Sequence, residues 1–300
     1  MTTIAFIGLG HMGGPMAANL VKAGHRVHGY DIVAASREAA AANGVAIAAS
    51  AAEAVAASEV VITMLPAGKH VVAVWKEILP AARAGTLFID SSTIDVESAR
   101  RAHAMAHEAG MDAVDAPVSG GVGGAQAATL TFMAGGTDGA FARAKPILEA
   151  MGKRIVHCGP AGNGQAAKIC NNMILGISMI GVCEAFALAE KLGLSHQALF
   201  DVASTSSGQC WSLTTYCPVP GPVPTSPANN GYKPGFSAEL MLKDLRLSQD
   251  AALASGAATP LGAAAAQLYA LYAGAGHGGE DFSGIIHFLR GLAGVSSTKA

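Results

Sequence analysis

Three short stretches of the chain carry residue types that chemistry uses. In "GNGQAAKICNN", residues 162–172, Lys168 and Asn172 stand four apart, so on a helix they share a face that continues at Leu175 and Met179. A lysine in an otherwise apolar helix is costly unless its ammonium is paired, exposed or used, and desolvation moves it toward the range of a general acid/base. The plain alternative is a lysine whose stem lies along the helix start with its charge in water. In "DAPVSGG", Ser119, Gly120 and Gly121 follow a predicted strand, where a hydroxyl and exposed backbone N–H groups can hold a carboxylate, or the glycines can form only a flexible loop. In "LMLKDLRLS", Lys243, Asp244 and Arg246 lie in a helical run and, taken alone, read as ordinary surface charge.

A fourth stretch points to a cofactor. Gly8, Leu9, Gly10, His11, Met12 and Gly13 spell G-x-G-x-x-G between the β-rich "IAFIG" and a helix-like run, and Asp31 closes the next strand 18 residues after Gly13. In that setting Gly8 makes the turn, Gly10 lets the backbone approach a pyrophosphate, Gly13 lets helix and strand pack closely, and the helix N-terminus meets the negative charge. The competing reading is a strand-to-helix turn that needs glycine for positive φ. A carboxylate at Asp31 accepts hydrogen bonds from a free ribose diol and repels a 2′-phosphate, which favours NAD over NADP.

These residues need elements to hold them. From residue 3 to about 160, the runs "IAFIG", "RVHGYD", "VVITMLP", "TLFIDSS", "DAVDAPV", "LTFMAGG" and "RIVHCG" alternate with Ala-rich helical stretches. Alternation of near-continuous apolar strands with helices predicts an α/β, Rossmann-like doubly wound domain with a parallel sheet, over residues 1–163. Beyond it, residues 165–192 are apolar nearly all round and predict one helix of roughly 28 residues, about 42 Å long, joining the domains. Further helices are expected near 196–204, 237–255, 260–273 and 281–290, with no strand, which makes 164–300 an all-helical domain. The Pro- and Gly-rich insert "CPVPGPVPTSPANNGYKPG", 217–235, is expected to be a functional loop.

Composition narrows the partners. Of 300 residues, 51% are hydrophobic and 13% charged, which suits two cored domains and excludes a disordered chain. A formal net charge of −2 with no long basic run offers nothing to nucleic acid or an anionic membrane, so a small molecule is the expected partner. The most membrane-like window, Ile169 to Ala189, holds Asn171, Asn172 and Glu184 and reads as a buried helix rather than a span. Five cysteines without C-x-x-C predict free thiols rather than a disulfide framework or zinc site. The first strand begins at about residue 3, which leaves no room for a signal sequence ahead of it, so a cytoplasmic location is expected.

The order and spacing of "FIGLGHMGGPMAANL", "DAPVSGG", "GNGQAAKICNNM" and "LMLKDLRL" resemble the β-hydroxyacid dehydrogenase family over residues 3 to 290. The resemblance implies NAD-dependent oxidation of a small 3-hydroxy acid. Within the family, the expectation is 3-hydroxyisobutyrate going to methylmalonate semialdehyde in valine degradation, with serine or tartronate semialdehyde as the alternative substrate class. A non-catalytic nucleotide-binding scaffold is the remote alternative, and the presence of Lys168 argues against it. By matching position, Lys168 is the implied catalytic acid/base and Asn172 its orienting partner. Ser119, Gly120 and Gly121 are implied to bind the substrate carboxylate; Leu65, Pro66 and Thr93 to line the cofactor; and Lys243 to lie near the nicotinamide with Asp244 supporting it. A homodimer or homotetramer is expected, since the long helix and the helical domain have few charges.

The chain departs from the family pattern in its expected pocket wall. Cys210 and Cys217 stand where asparagines are usual and Val219 where a tryptophan is, so a less polar pocket is expected. Trp211 and Tyr216 face substrate there or pack in the core. Ala128 stands where glycine is common. His103 and His107, four apart, lack a third metal ligand and read as a solvated helix face, and Cys210 lacks a base and reads as packing.

Overall fold

The computed structural model describes residues 1–292, which divide into two compact units, Met1–Lys168 and a second beginning at Ile169. In the first, β1 (Thr3–Ile7), β2 (Arg26–Tyr30), β3 (Ala46–Ile47), β4 (Val60–Thr63), β5 (Leu87–Asp90) and β6 (Asp112–Asp115) form a parallel sheet in the order β3-β2-β1-β4-β5-β6. Helices α1 (Gly13–Lys22), α2 (Ala34–Ala41), α3 (Ala51–Ala56), α4 (Gly68–Ile78) and α5 (Val96–Glu108) connect these strands. Strand order reverses between β1 and β4, where such sheets open a crevice at their carboxyl ends.

The apolar strand runs reflect coverage of both faces. Side chains alternate across a strand, so Ile4, Phe6, Ile62 and Ile89 pack in one cluster while Ala5, Val61 and Phe88 pack in another. Trp75 of α4 closes the second cluster, its ring 5.0 Å from that of Phe88.

Two of the predicted parallel strands lie elsewhere. β7 (Val118–Ser119), β8 (Leu130–Ala134) and β9 (Gly152–His157) form a separate sheet, in which β7 runs antiparallel to β8 and β8 parallel to β9. Only Ala116 and Pro117 separate β6 from β7, far too few residues for a parallel crossover. α6 (Gly121–Gln126) and α7 (Asp138–Leu148) complete this part of the unit.

α8 (Asn163–Lys191) begins in the first unit and continues into the second. α9 (His196–Ala203), α10 (Trp211–Thr214), α11 (Ala238–Ser255), α12 (Pro260–Tyr272) and α13 (Ile285–Leu292) follow, with no strand among the described residues of the second unit. By length and composition α8 could cross a membrane, and 44% of its most apolar window is buried. Met179, Cys183 and Phe186, spaced four and three apart, are buried in the second unit's core with Met241, Leu245 and Tyr269. Its other face is apolar and exposed at Ile174 and Leu188.

The insert 217–235 is a packed loop rather than an open one. Cys217, Val219, Val223, Ala228 and Tyr232 are buried in the same core, and one short 3₁₀ turn, Pro227–Asn230, lies within it. The expected pocket-wall role of Cys217 and Val219 is therefore corrected: both are wholly buried among core side chains.

Candidate active site

The glycine stretch joins β1 to α1 with almost no spare volume. A Cβ on Gly13 would sit 1.9 Å from the Gly8 carbonyl oxygen and one on Gly8, at φ +98°, 2.2 Å from that of Met64. A Cβ on Gly10 would meet nothing within 4 Å, and Gly10 and His11 are exposed. α1 has neither a side-chain cap from Met12 nor an acid in its first turn; the Gly14 N–H donates to the Gly10 carbonyl and Pro15 has no N–H, so an anion there would meet the helix dipole and the amides of the glycine turn rather than a full set of first-turn N–H groups. Asp31 Oδ2 accepts from the Leu9 N–H at 2.7 Å, tying the next strand's acid to the turn, while Leu9's side chain is in the core. Arg37 Nη1 donates to the Asp31 carbonyl at 2.6 Å. A tight turn, an open approach and an uncapped helix start fit the pyrophosphate and ribose of a dinucleotide.

At the carboxyl ends of β4 and β5 a buried polar chain fixes the adjoining loops. Trp75 Nε1 donates to Thr63 Oγ1 (3.2 Å), Thr63 Oγ1 to Asp90 Oδ1 (2.7 Å), and Ser92 Oγ to the same oxygen (2.6 Å). Ser92 Oγ in turn accepts from the Leu65 N–H at 2.7 Å. Leu65 and Thr93 are half-buried and Pro66 exposed, at the edge of this chain. Burial pushes the Asp90 carboxyl up to about 6, against the hydrogen bonds from Ser92 and Thr63 and with Asp115 adding to the rise; its Oδ2 has no hydrogen-bond partner.

Ser119 ends β7 half-buried, with Gly120 exposed and Gly121 opening α6. Lys168, 6% exposed, lies in the second turn of α8, so its whole stem is enclosed and the reading of an ammonium trailing in water is removed. Before it, Asp115 receives the helix start: Oδ1 accepts from Gly162 N–H (2.8 Å) and Oδ2 from Gln165 N–H (3.0 Å). His103 Nε2 lies 2.9 Å from Asp115 Oδ1. The expectation of a solvated face for His103 and His107 is thus corrected for His103, which turns inward to the carboxylate on β6, while His107 is exposed.

In the second unit, Asn172 is held at both ends of its amide. Its Nδ2 donates to Asp244 Oδ2 at 2.5 Å and its Oδ1 accepts from Asn171 Nδ2 at 2.9 Å. Asp244 is buried rather than surface charge, because it faces α8 from α11; Lys243 is half-buried and Arg246 exposed. Trp211, half-exposed, stacks on Tyr216 with ring centroids 4.9 Å apart, and Tyr216 stacks on Phe282 at 5.2 Å. Tyr216 donates its hydroxyl to Asp281 Oδ2 (2.8 Å), and burial with that carboxylate raises its phenol far above the usual value. Asp281, wholly buried, also accepts from Gly235 N–H and Phe236 N–H on Oδ2 and from Ser283 on Oδ1. Tyr216 therefore serves the fold through its hydroxyl. Cys210 packs beside Leu213 and Phe186 in a shallow apolar groove.

Comparison with known proteins reports on the whole chain. Residues 3–159 match the model of the NAD binding domain of 6-phosphogluconate dehydrogenase, and residues 162–289 that described as NAD-binding of NADP-dependent 3-hydroxyisobutyrate dehydrogenase. The probable 3-hydroxyisobutyrate dehydrogenase of Mycobacterium tuberculosis is 59% identical over 293 residues, 98% of this chain and 99% of the relative. The NAD-dependent L-serine dehydrogenase of Pseudomonas aeruginosa is 48% identical over 286 residues, 94% of this chain and 96% of that one. A solved structure of M. tuberculosis 3-hydroxyisobutyrate dehydrogenase with L-serine superposes with a TM-score of 0.95 at 60% identity, covering 97% of this chain and 99% of that one.

Proposed function

The chain belongs to the β-hydroxyacid dehydrogenase family and is an NAD-dependent oxidoreductase, and from that premise we propose that it oxidises 3-hydroxyisobutyrate to methylmalonate semialdehyde, a step of valine degradation, in the cytoplasm. The observation that carries the mechanism is Lys168, an enclosed lysine on a helix whose start is anchored to Asp115 at the end of β6.

Gly8 to Gly13 and the start of α1 would hold the pyrophosphate and Asp31 the adenosine ribose, while Leu65, Pro66 and Thr93 would line the cofactor and Lys243 would serve its nicotinamide. When bound, NAD supplies the hydride acceptor for the carbon that bears the alcohol. Ser119 and the backbone of Gly120 and Gly121 grip the substrate carboxylate and fix which C–H bond is presented. Lys168, neutral at the start of oxidation, takes the hydroxyl proton on Nζ as the carbonyl forms. Asn172, its amide fixed between Asn171 and Asp244, orients substrate and lysine. Trp211 offers an apolar ring to the substrate's carbon skeleton.

A second reading is oxidation of L-serine, favoured by the 48% identity to an L-serine dehydrogenase. A steady-state panel of 3-hydroxyisobutyrate and L-serine with NAD and with NADP, and of tartronate semialdehyde with NADH and with NADPH, separates the two. The highest kcat/KM on 3-hydroxyisobutyrate with NAD is expected; absence of turnover on it would defeat the choice of substrate. The exposed apolar face of α8 at Ile174 and Leu188 supports a homodimer or homotetramer, which light scattering would refute by finding a 30.0 kDa particle.

A further inference from the structure

We propose that Gln165 is a positioning residue that locks the cofactor-lining segment at Thr93 to the helix carrying Lys168; the proposal rests on the hydride-transfer reading above. Gln165 is wholly buried, and its side-chain amide is used at both ends. Nε2 donates to the Ser92 carbonyl at 2.7 Å, and Oε1 accepts from the Ile94 N–H at 3.1 Å. Those two peptide groups flank Thr93, so one side chain holds that residue as a neighbouring strand would, by one donor and one acceptor.

The clamp is itself fixed at its root. The Gln165 N–H donates to Asp115 Oδ2, whose other oxygen takes the Gly162 N–H and faces His103. Gly164 brings the helix start against strand backbone: a Cβ there would lie 2.3 Å from the Met133 carbonyl oxygen and 2.6 Å from that of Asp115. α8 therefore starts at a point set by β6 and β8 and has no room to slide. Lys168 follows Gln165 by three residues, about 4.5 Å along the axis and on the same side of the helix. A single rigid turn thus carries both the group that takes the proton and the amide that sets where the cofactor's wall stands. A primary amide presents its donor and its acceptor on separate atoms of one plane, as this clamp uses them, and an asparagine stem is one methylene shorter.

The experiment uses Gln165→Met, which keeps the volume and removes both hydrogen bonds, and Gln165→Glu, which keeps the acceptor for Ile94 and loses the donor to Ser92. Three quantities are measured on the full-length protein: steady-state kinetics, NADH affinity by fluorescence quenching, and exchange of the Ile94 amide by NMR or mass spectrometry. For Gln165→Met, kcat should fall roughly 10- to 100-fold, the effect of a reacting group displaced by about 1 Å. KM for the hydroxy acid and the NADH dissociation constant should stay within about threefold. The Ile94 amide should exchange about tenfold faster, the loss of one neutral hydrogen bond. Gln165→Glu, whose buried carboxylate would face the Ser92 carbonyl, should lose at least as much activity as Gln165→Met.

An unchanged kcat alongside faster Ile94 exchange would overturn the positioning role, and unchanged exchange would overturn the clamp. A fall in kcat that merely parallels weaker NADH binding and a lower thermal midpoint would assign Gln165 to stability instead. Should Gln165→Met fail to fold, Gln165→Glu decides by the same three measurements. Failure of the enzymatic reading looks different: the parent protein would turn over none of the hydroxy acids, while NADH affinity and Ile94 exchange would still report on the clamp.

Discussion

The hydrogen bond from Asn172 to Asp244 offers a quantitative test of how the second unit contributes to chemistry. Asp244→Ala leaves the Asn172 amide N–H groups, in a side chain 2% exposed, without their 2.5 Å carboxylate partner. An orphaned buried donor costs about 1–3 kcal/mol, more where the missing partner was charged. If that cost falls on the arrangement of Asn172 in the transition state, kcat should drop by roughly 5- to 150-fold, at about 1.4 kcal/mol per factor of ten. Asp244→Asn, which can still present an oxygen, should retain most of the bond and fall by less than about tenfold. Asn172→Ala and the double variant complete a cycle in steady-state kinetics, with urea unfolding run in parallel. The two single losses should overlap, leaving a coupling of about 1–3 kcal/mol in the activation free energy. A coupling below about 0.5 kcal/mol would mean that the bond, however short, does not act on the reaction, and Asp244 would then serve the α8 to α11 packing alone.

Three other outcomes are expected. Lys168→Met should lower kcat by roughly 10²- to 10⁴-fold with NADH affinity unchanged, and undiminished activity would overturn the assigned proton acceptor. Ala128 holds φ +55°. Its left-handed backbone costs an L-residue about 1–2 kcal/mol and glycine's freer unfolded chain returns about 0.4–1, so Ala128→Gly should gain about 0.5–1 kcal/mol, and a lower thermal midpoint would refute this. Asp90 binds its proton more tightly when folded, since burial raises it to about 6. Its contribution to stability is therefore present below about pH 4 and lost as pH rises through about 6. Asp90→Asn removes that loss, and its stability relative to the parent, from urea unfolding, should rise by roughly 2–3 kcal/mol from about pH 4 to about pH 7; a flat difference would contradict the shift.

What could be read without coordinates follows the range over which each residue acts. The six-stranded sheet was legible because both its faces are covered, which writes "IAFI", "VVI" and "LFI" as unbroken apolar runs. Lys168 and Asn172 were legible as one helical face because four residues of spacing is a local property. The three-stranded sheet was not, since whether β8 joins β6 or β7 is decided by a two-residue connection rather than by strand composition. His103 reads as solvent-facing until β6 places a carboxylate against it. Gln165 gave least signal of all: an uncharged residue three positions before a lysine, with partners 71 and 73 positions away at Ile94 and Ser92. The cysteines and valine at 210, 217 and 219 were visible as departures, but Cys217 and Val219 belong to core packing, which periodicity does not report inside a Pro-rich loop.

Asp281 gives the order of synthesis a bearing on how the chain folds. Tyr216, Gly235 and Phe236, at the two ends of the packed loop, all bond to this one carboxylate, which comes 65 residues after Tyr216. At about 5–20 residues per second, a ribosome needs about 3–13 s to travel that far. The first unit has by then all its strands, from Thr3 to His157, and can fold while the rest is being made. The loop carries bonds of its own, from Ser226 to the Cys217 carbonyl and from Tyr232 to that of Pro218, but until Asp281, Phe282 and Ile285 are made, Cys217, Val219 and Val223 lack part of the core that buries them. A nascent chain stalled before Asp281 should accordingly bind a hold-type chaperone at the loop, and one stalled far enough past Leu292 should release it.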